Sequence, residues 1–201
     1  MKVELQKTVM RAWTSIHPSL KLVVFTDSEY WKNQVTKMGI TWTDEFYTNP
    51  SGTPFLSSMT DWIQSHYVSQ YYGFINADIL VHSNLYDLLT YITKEIVSSH
   101  MLIVGRRYNS YVVEDDLITL QSKEEFDRFI ASETHLSEQF IPVAQDFFFF
   151  TEHSLLGNQL LPVVIGRNRY DNYLLTVCKE DPECTLVDVS DSCRYRREDN
   201  G

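Results

Sequence analysis

Two polar side chains interrupt the apolar stretch Gly73-Phe74-Ile75-Asn76-Ala77-Asp78-Ile79-Leu80-Val81. Continuous apolar runs with β-branched residues fit a strand covered on both faces. Nothing in such a strand calls for an Asn and an Asp, so Asn76 and Asp78 are expected where the strand ends. In open α/β sheets, ligands bind just beyond the carboxyl ends of the strands. One carboxylate there can hold a divalent cation and leave its remaining positions to substrate phosphate oxygens. The competing reading makes Asp78 a cap for the segment Asn84-Leu85-Tyr86-Asp87-Leu88-Leu89.

Other metal-ligating types give less. His66, His82, His100, His135 and His153 form no His-x-x-x-His or similar pair. His82, four residues past Asp78, reaches a metal there only through a sharp turn, and a surface or capping role accounts for it better. Cys178, Cys184 and Cys193 are odd in number and lack Cys-x-x-Cys spacing, which supports neither a disulfide framework nor a zinc site. Asn49-Pro50-Ser51 is blocked as a glycosylation sequon by its proline. Both observations lean towards a reducing, cytoplasmic setting.

The elements that must position these residues alternate between helix and strand. Leu5, Val9, Ala12, Trp13 and Ile16 have helical spacing, and His17-Pro18 stops that helix. Leu20 to Thr26 reads as a strand, and Thr26-Asp27-Ser28 as the cap of a helix from Glu29 to Lys37 that Gly39 ends. After a short Ile40-Thr41-Trp42 strand and an irregular loop with two prolines, Phe55 to Tyr67 reads as helix into the central strand. Further helices are expected at Leu85 to Val97, Lys123 to Ala131 and Tyr173 to Cys178. Further strands are expected at Met101 to Gly105, Phe147 to Phe150 and Thr185 to Val189. The four phenylalanines of Phe147 to Phe150 read as core before a sugar-stacking platform.

The 201 residues suffice for one α/β domain with a substantial core, expected over residues 1–193, with a charged, frayed tail at 194–201. No apolar run approaches the roughly 20 residues that cross a bilayer, and Met1 to Lys7 is too polar for a secretory signal. The net charge of −10 argues against nucleic acid or anionic membrane as a partner. A polyanionic substrate would need a local cation or arginine cluster.

Several stretches, taken together, resemble a family of glycosyltransferase-like proteins with the GT-A (nucleotide-diphospho-sugar transferase) fold. Trp13-x-x-x-His17-Pro18-x-Leu20 is similar to that family's opening helix-to-strand step, and Asn49-Pro50-Ser51-Gly52-Thr53-Pro54 to its Asn-x-x-Gly-Thr-Pro loop. Phe74 to Leu80 is similar to its Asn-Ser-Asp-Ile segment, where GT-A enzymes carry Asp-x-Asp. Gln145-Asp146-Phe147 and Gly166-Arg167-x-x-Tyr170-Asp171-Asn172-Tyr173 resemble its Lys-Asp-Tyr and Gly-Arg-x-x-Trp-Asp-Asn-Trp motifs. The order holds from about residue 8 to residue 190.

The resemblance implies a single-domain α/β, GT-A-like, Rossmann-related mixed sheet flanked by helices, and a metal-dependent glycosyltransferase using Mn²⁺ or Mg²⁺. It implies Asp78 on the metal and Asn76 on the ribose or sugar of a nucleotide-sugar donor, with transfer to an acceptor the sequence does not name. Arg106 or Arg107 would neutralise phosphate in forked geometry, with a solvated strand end or a surface ion pair as the plainer alternative. Gly52 and Thr53 would approach the nucleotide unless their loop is only a rigid turn, and Arg167 would join the donor side. Asp146 and Asp171 are the acceptor-side carboxylates, one of them a general base. For Asp171 the alternative is an N-cap, and for Asp146 a buried turn.

Two departures favour a non-catalytic binding or scaffold module as the alternative. The family begins with a nucleotide-contacting strand, whereas this sequence begins in the helix after it. The family's terminal metal-binding His has no counterpart beside Asp191 and the run Arg194-Tyr195-Arg196-Arg197. A nucleotidyltransferase ranks third, since no Gly-rich basic loop lies near the N-terminus.

Overall fold

Helices and longer strands follow one another in the order the apolar patterning predicts, with two further two-residue strands, Tyr108–Asn109 and Glu138–Gln139, that it does not. The computed structural model describes residues 2–109, 117–139, 145–152, 160–166 and 170–190. The elements are α1 (Lys2–Ile16), β1 (Val23–Phe25), α2 (Glu29–Lys37), β2 (Thr41–Thr43), α3 (Leu56–His66), β3 (Tyr71–Ile75) and α4 (Leu85–Glu95). They continue with β4 (Met101–Gly105), β5 (Tyr108–Asn109), α5 (Lys123–Leu136), β6 (Glu138–Gln139), β7 (Phe147–Thr151), α6 (Tyr170–Glu180) and β8 (Thr185–Asp188). The architecture is mixed α/β.

The main sheet has four strands in the order β3-β7-β4-β8. β7 runs antiparallel to both β3 and β4, whereas β8 is parallel to β4. β4 and β7 are buried along their whole length, as central strands with no polar face must be. Side chains alternate between two cores, following the two-residue period of a strand. Met101, Ile103, Phe147 and Phe149 pack with α1 and α4 through Val9, Trp13, Leu85 and Ile92. Leu102, Val104, Phe148 and Phe150 pack on the other face with Leu56 of α3 and with Leu174 and Cys178 of α6. All four phenylalanines are therefore core.

Two glycines let β7 pack this closely. A Cβ on Gly73 would lie 2.5 Å from the Phe149 ring, and one on Gly105 would lie 1.9 Å from the Phe147 ring. β1 and β2 form a separate parallel pair, packed against Val35 of α2, Met10 of α1 and Ile40 just before β2. α2 ends as the sequence predicts. Gly39 adopts φ +70, and its N–H and that of Ile40 return to the carbonyls of Thr36 and Val35.

Three expectations are corrected. Ile79 to Val81 does not extend the strand, which stops at Ile75. β3 is also an end strand with Gly73 exposed, not one covered on both faces. Ser28 occupies the N-cap of α2 without a side-chain cap bond, and its backbone N–H donates to the Thr26 hydroxyl at 3.2 Å. Cys178 and Cys184 form a disulfide that ties α6 to the approach to β8. Their spacing gave no sign of pairing because the turn at Asp181 to Cys184, closed by a 3.1 Å hydrogen bond between those two residues, brings them together. The cysteines thus no longer argue for a reducing compartment.

Candidate functional site

The antiparallel insertion of β7 builds the edge at which the polar residues meet. Phe147, the first residue of β7, is the register partner of Ile75 on one side and of Gly105 on the other. Asp146 therefore lies beside the exits of β3 and β4, where Asn76 and Arg106 follow in sequence. The Asp146 N–H donates to the Gly105 carbonyl at 3.0 Å, which fixes it there.

Asp146 is only 4% exposed. Its carboxylate accepts from the Arg107 guanidinium in a close ion pair, and from the Arg107 backbone N–H at 3.4 Å. The Arg107 Nε donates to Asn109 Oδ1 at 2.9 Å, which orients the planar fork. Asp171 lies in the first turn of α6, inside the helix and not at its N-cap. It is likewise buried, and its carboxylate accepts from the backbone N–H groups of Gln145 at 3.2 Å and Asn172 at 2.9 Å.

Tyr170 joins this cluster. Burial pushes its phenol up to about 12, and the charges of Asp171 and Asp146 push the same way. The Asn76 side chain, hydrogen-bonded to it, and Arg107 pull in the opposite direction. The ring is anchored against Phe74 and Phe148, with centroids 6.3 and 6.0 Å away. Asn76, Arg107, Asp146, Tyr170 and Asp171 are thus one connected group.

Asp78 is different. It lies exposed in the turn after β3, where the Ile79 N–H returns to the Asn76 carbonyl at 3.1 Å. The Trp13 indole N–H donates to the Ile79 carbonyl at 3.0 Å, tying the turn to α1. Among the described residues, no hydrogen bond or ion pair engages the Asp78 carboxylate. It does not cap α4, whose N-cap position is Asn84.

The remaining candidates separate from the cluster. Arg106 turns towards the end of β8, where its backbone N–H and its Nε donate to Ser190 Oγ at 3.0 and 3.3 Å. Gly52, at φ +77, and Thr53 belong to a loop organised around its own Asn49, whose side-chain oxygen accepts from the N–H groups of Ser51 and Thr53. That loop is a self-satisfied turn. Arg167 and Asp191 lie outside the described residues. His82 lies in the approach to α4, where it accepts from the Asn84 N–H at 3.1 Å and sits 3.7 Å from the Asp127 carboxylate.

The Arg107–Asp146 pair and the contribution of Tyr170 were not foreseen. Arg107 and Asp146 are 39 positions apart, with no local signal linking them. Tyr170 had one in its position beside Asp171. No family model and no curated protein matches this chain.

A cation at Asp78 would suit the donor types present: one unengaged carboxylate oxygen pair, with Asn76 adjacent. No group of three or more His, Cys, Asp or Glu side chains that could hold a metal occurs among the described residues. Such an ion would therefore draw its other ligands from water and from a bound phosphate group, as Mg²⁺ commonly does.

Proposed function

We propose that this domain binds a nucleotide-diphospho-sugar through a divalent cation, Mn²⁺ or Mg²⁺, held by Asp78. Glycosyl transfer to an acceptor hydroxyl is the reaction such a site would serve. The observation that carries the reading is the exposed carboxylate of Asp78, engaged by no described residue, beyond the carboxyl end of β3. When bound, the cation would stabilise the departing diphosphate as a Lewis acid. Asn76, held in the turn and next to Tyr170, would orient the ribose or sugar. Arg107 lies at the same edge with its charge offset by Asp146, so the cation would supply the positive charge that a diphosphate needs in a chain of net charge −10.

A second reading, binding without turnover, is favoured by a specific observation. Asp146 and Asp171, the two carboxylates available as a general base, are both buried and already accept bonds from Arg107 and from backbone N–H groups. A base must reach the acceptor hydroxyl, and neither group is free to do so as it stands.

Isothermal titration with UDP, UDP-sugars and GDP-sugars, with and without Mn²⁺, tests the proposal. Expected is Mn²⁺-dependent binding that Asp78→Asn weakens tenfold or more. No binding of any nucleotide sugar overturns the donor reading. Binding unaccompanied by sugar release, and unaffected by Asp171→Ala, selects the binding module over the enzyme.

A further inference from the structure

Two consecutive arginines follow β4 and are used differently. Arg107 is matched by Asp146 in a close ion pair, and its Nε is held by Asn109 Oδ1. Arg106 turns towards the exit of β8, where its backbone N–H and its Nε both donate to Ser190 Oγ, at 3.0 and 3.3 Å. Ser190 is only 3% exposed. Its hydroxyl donates to Asp188 Oδ1 at 2.5 Å, and the same oxygen accepts from the Ser190 N–H at 2.9 Å. A hydroxyl has one proton and two lone pairs, so Ser190 Oγ is fully committed and holds Arg106 in a fixed orientation.

The guanidinium of Arg106 is thus pinned along its Nε edge. Among the described residues, Nη1 and Nη2 make no hydrogen bond and no carboxylate pairs with them. Tying β4 to β8 uses only the backbone N–H and Nε, so the two terminal nitrogens are surplus to the fold. β4 and β8 are parallel and deliver their carboxyl ends together, at the edge where open α/β sheets bind ligands. With Nε occupied, the forked approach that remains is end-on, to Nη1 and Nη2, and it matches two oxygens of one carboxylate or phosphate. A side chain already held in place also loses less freedom when it captures an anion.

This position is separate from Asp78. β7 lies between β3 and β4, which at the usual strand spacing sets their exits roughly 10 Å apart. Arg106 bends further away, towards β8, whereas the turn that carries Asp78 is tied to α1 through Trp13 and Ile79.

We propose that the exits of β4 and β8 form an oxyanion site, in which Arg106 Nη1 and Nη2 hold a carboxylate or phosphate group and Ser190 is the positioning residue. The site itself stands without nucleotide-sugar binding. Its assignment to a second ligand rests on the reading of Asp78 as the diphosphate end, and on that reading the acceptor is an anionic molecule.

The test uses the whole chain with Mg²⁺ present. The Nε–H of Arg106 and the backbone amides of residues 106 and 190 are followed by NMR while inorganic phosphate or acetate is added, with chloride at matched ionic strength as the control. Expected is a saturable shift with at least one of the two anions and none with chloride. Saturation by phosphate alone identifies a phosphoryl ligand, and by acetate alone a carboxylate. Arg106→Lys keeps the charge without the fork and should bind about tenfold more weakly. Ser190→Ala should weaken binding as well, and Ser190→Thr, which restores the hydroxyl, should recover it.

No saturable shift with either anion overturns the proposal, as does an equal effect of chloride or equal affinity in Arg106→Lys. Unchanged affinity in Ser190→Ala removes the positioning role. Loss of phosphate binding in Asp78→Asn would return the anion to the diphosphate end, overturning the separate site and sparing the donor reading. Phosphate held by Arg106 in a chain that takes no nucleotide sugar would do the reverse.

Discussion

Asp78 and Asp146 stand at the same edge of the sheet, yet their oxygens have different claimants. Asp146 is buried, and its oxygens accept from Arg107. Asp78 is exposed in a turn whose backbone is already held by Asn76 and Trp13, and no described residue engages its carboxylate. Taking a charge out of water costs several kcal/mol unless partners offset it. Asp146 must therefore stay paired for the fold to stand, whereas among the described residues no partner is lost when the Asp78 carboxylate is removed. Proximity to a strand's carboxyl end does not by itself make a carboxylate functional; what its oxygens already accept decides that.

The contrast can be broken by substitution. Asp146→Ala strips the partner from a half-buried guanidinium and should cost about 1.5–3 kcal/mol of unfolding free energy in urea. A loss no larger than that of a surface substitution would remove the claim that Asp146 is structural. Asp171→Asn keeps one acceptor for the N–H groups of Gln145 and Asn172, and a smaller loss of about 1 kcal/mol is expected.

Alkaline titration sharpens the picture of the buried cluster. The Tyr170 phenol is raised from 10.0 to about 12 by burial and by Asp171 and Asp146. The unfolded chain gives up that proton first, so this contribution to stability is complete below pH 10.0 and lost as the pH rises to about 12. Denaturation midpoints over that range should fall less steeply in Tyr170→Phe than in the parent protein. Identical slopes would mean that the phenol is not buried among those charges.

Asp78→Asn should have the smallest effect on stability, within about 0.5 kcal/mol. A larger loss would show that Asp78 has a structural partner, and the comparison with Asp146 would collapse.

Much of the fold was legible because its signals are local. The helical spacing of Leu5 to Ile16, the left-handed stop at Gly39 and the all-apolar Met101 to Val104 and Phe147 to Phe150 each report on their own few residues. Ser122 and Glu125 form a capping box that begins α5, a four-residue signature also readable from sequence. The candidate site was legible only in part. Asn76 and Asp78 stood out as polar residues in an apolar run, and the structure puts both at the end of β3. Asp146 and Asp171 stood out through the motifs they resemble, and a buried turn was among the readings for Asp146, but nothing in the sequence named the partners of either carboxylate.

Residue order alone determined the alternation of helix and strand, the two-residue rhythm that fills both cores, and the break in apolarity after Ile75. Tertiary structure decided which carboxylate is engaged and which is not. The Arg107–Asp146 pair and the Gln145–Asp171 bond join residues 39 and 26 positions apart, so they exist only once the strands are in register. The same holds for the edges of β1 and β3, which lack a partner strand among the described residues. Periodicity fixes which face of an element is apolar; it carries no information about which distant donor will reach a given oxygen, because that depends on how the whole chain closes on itself.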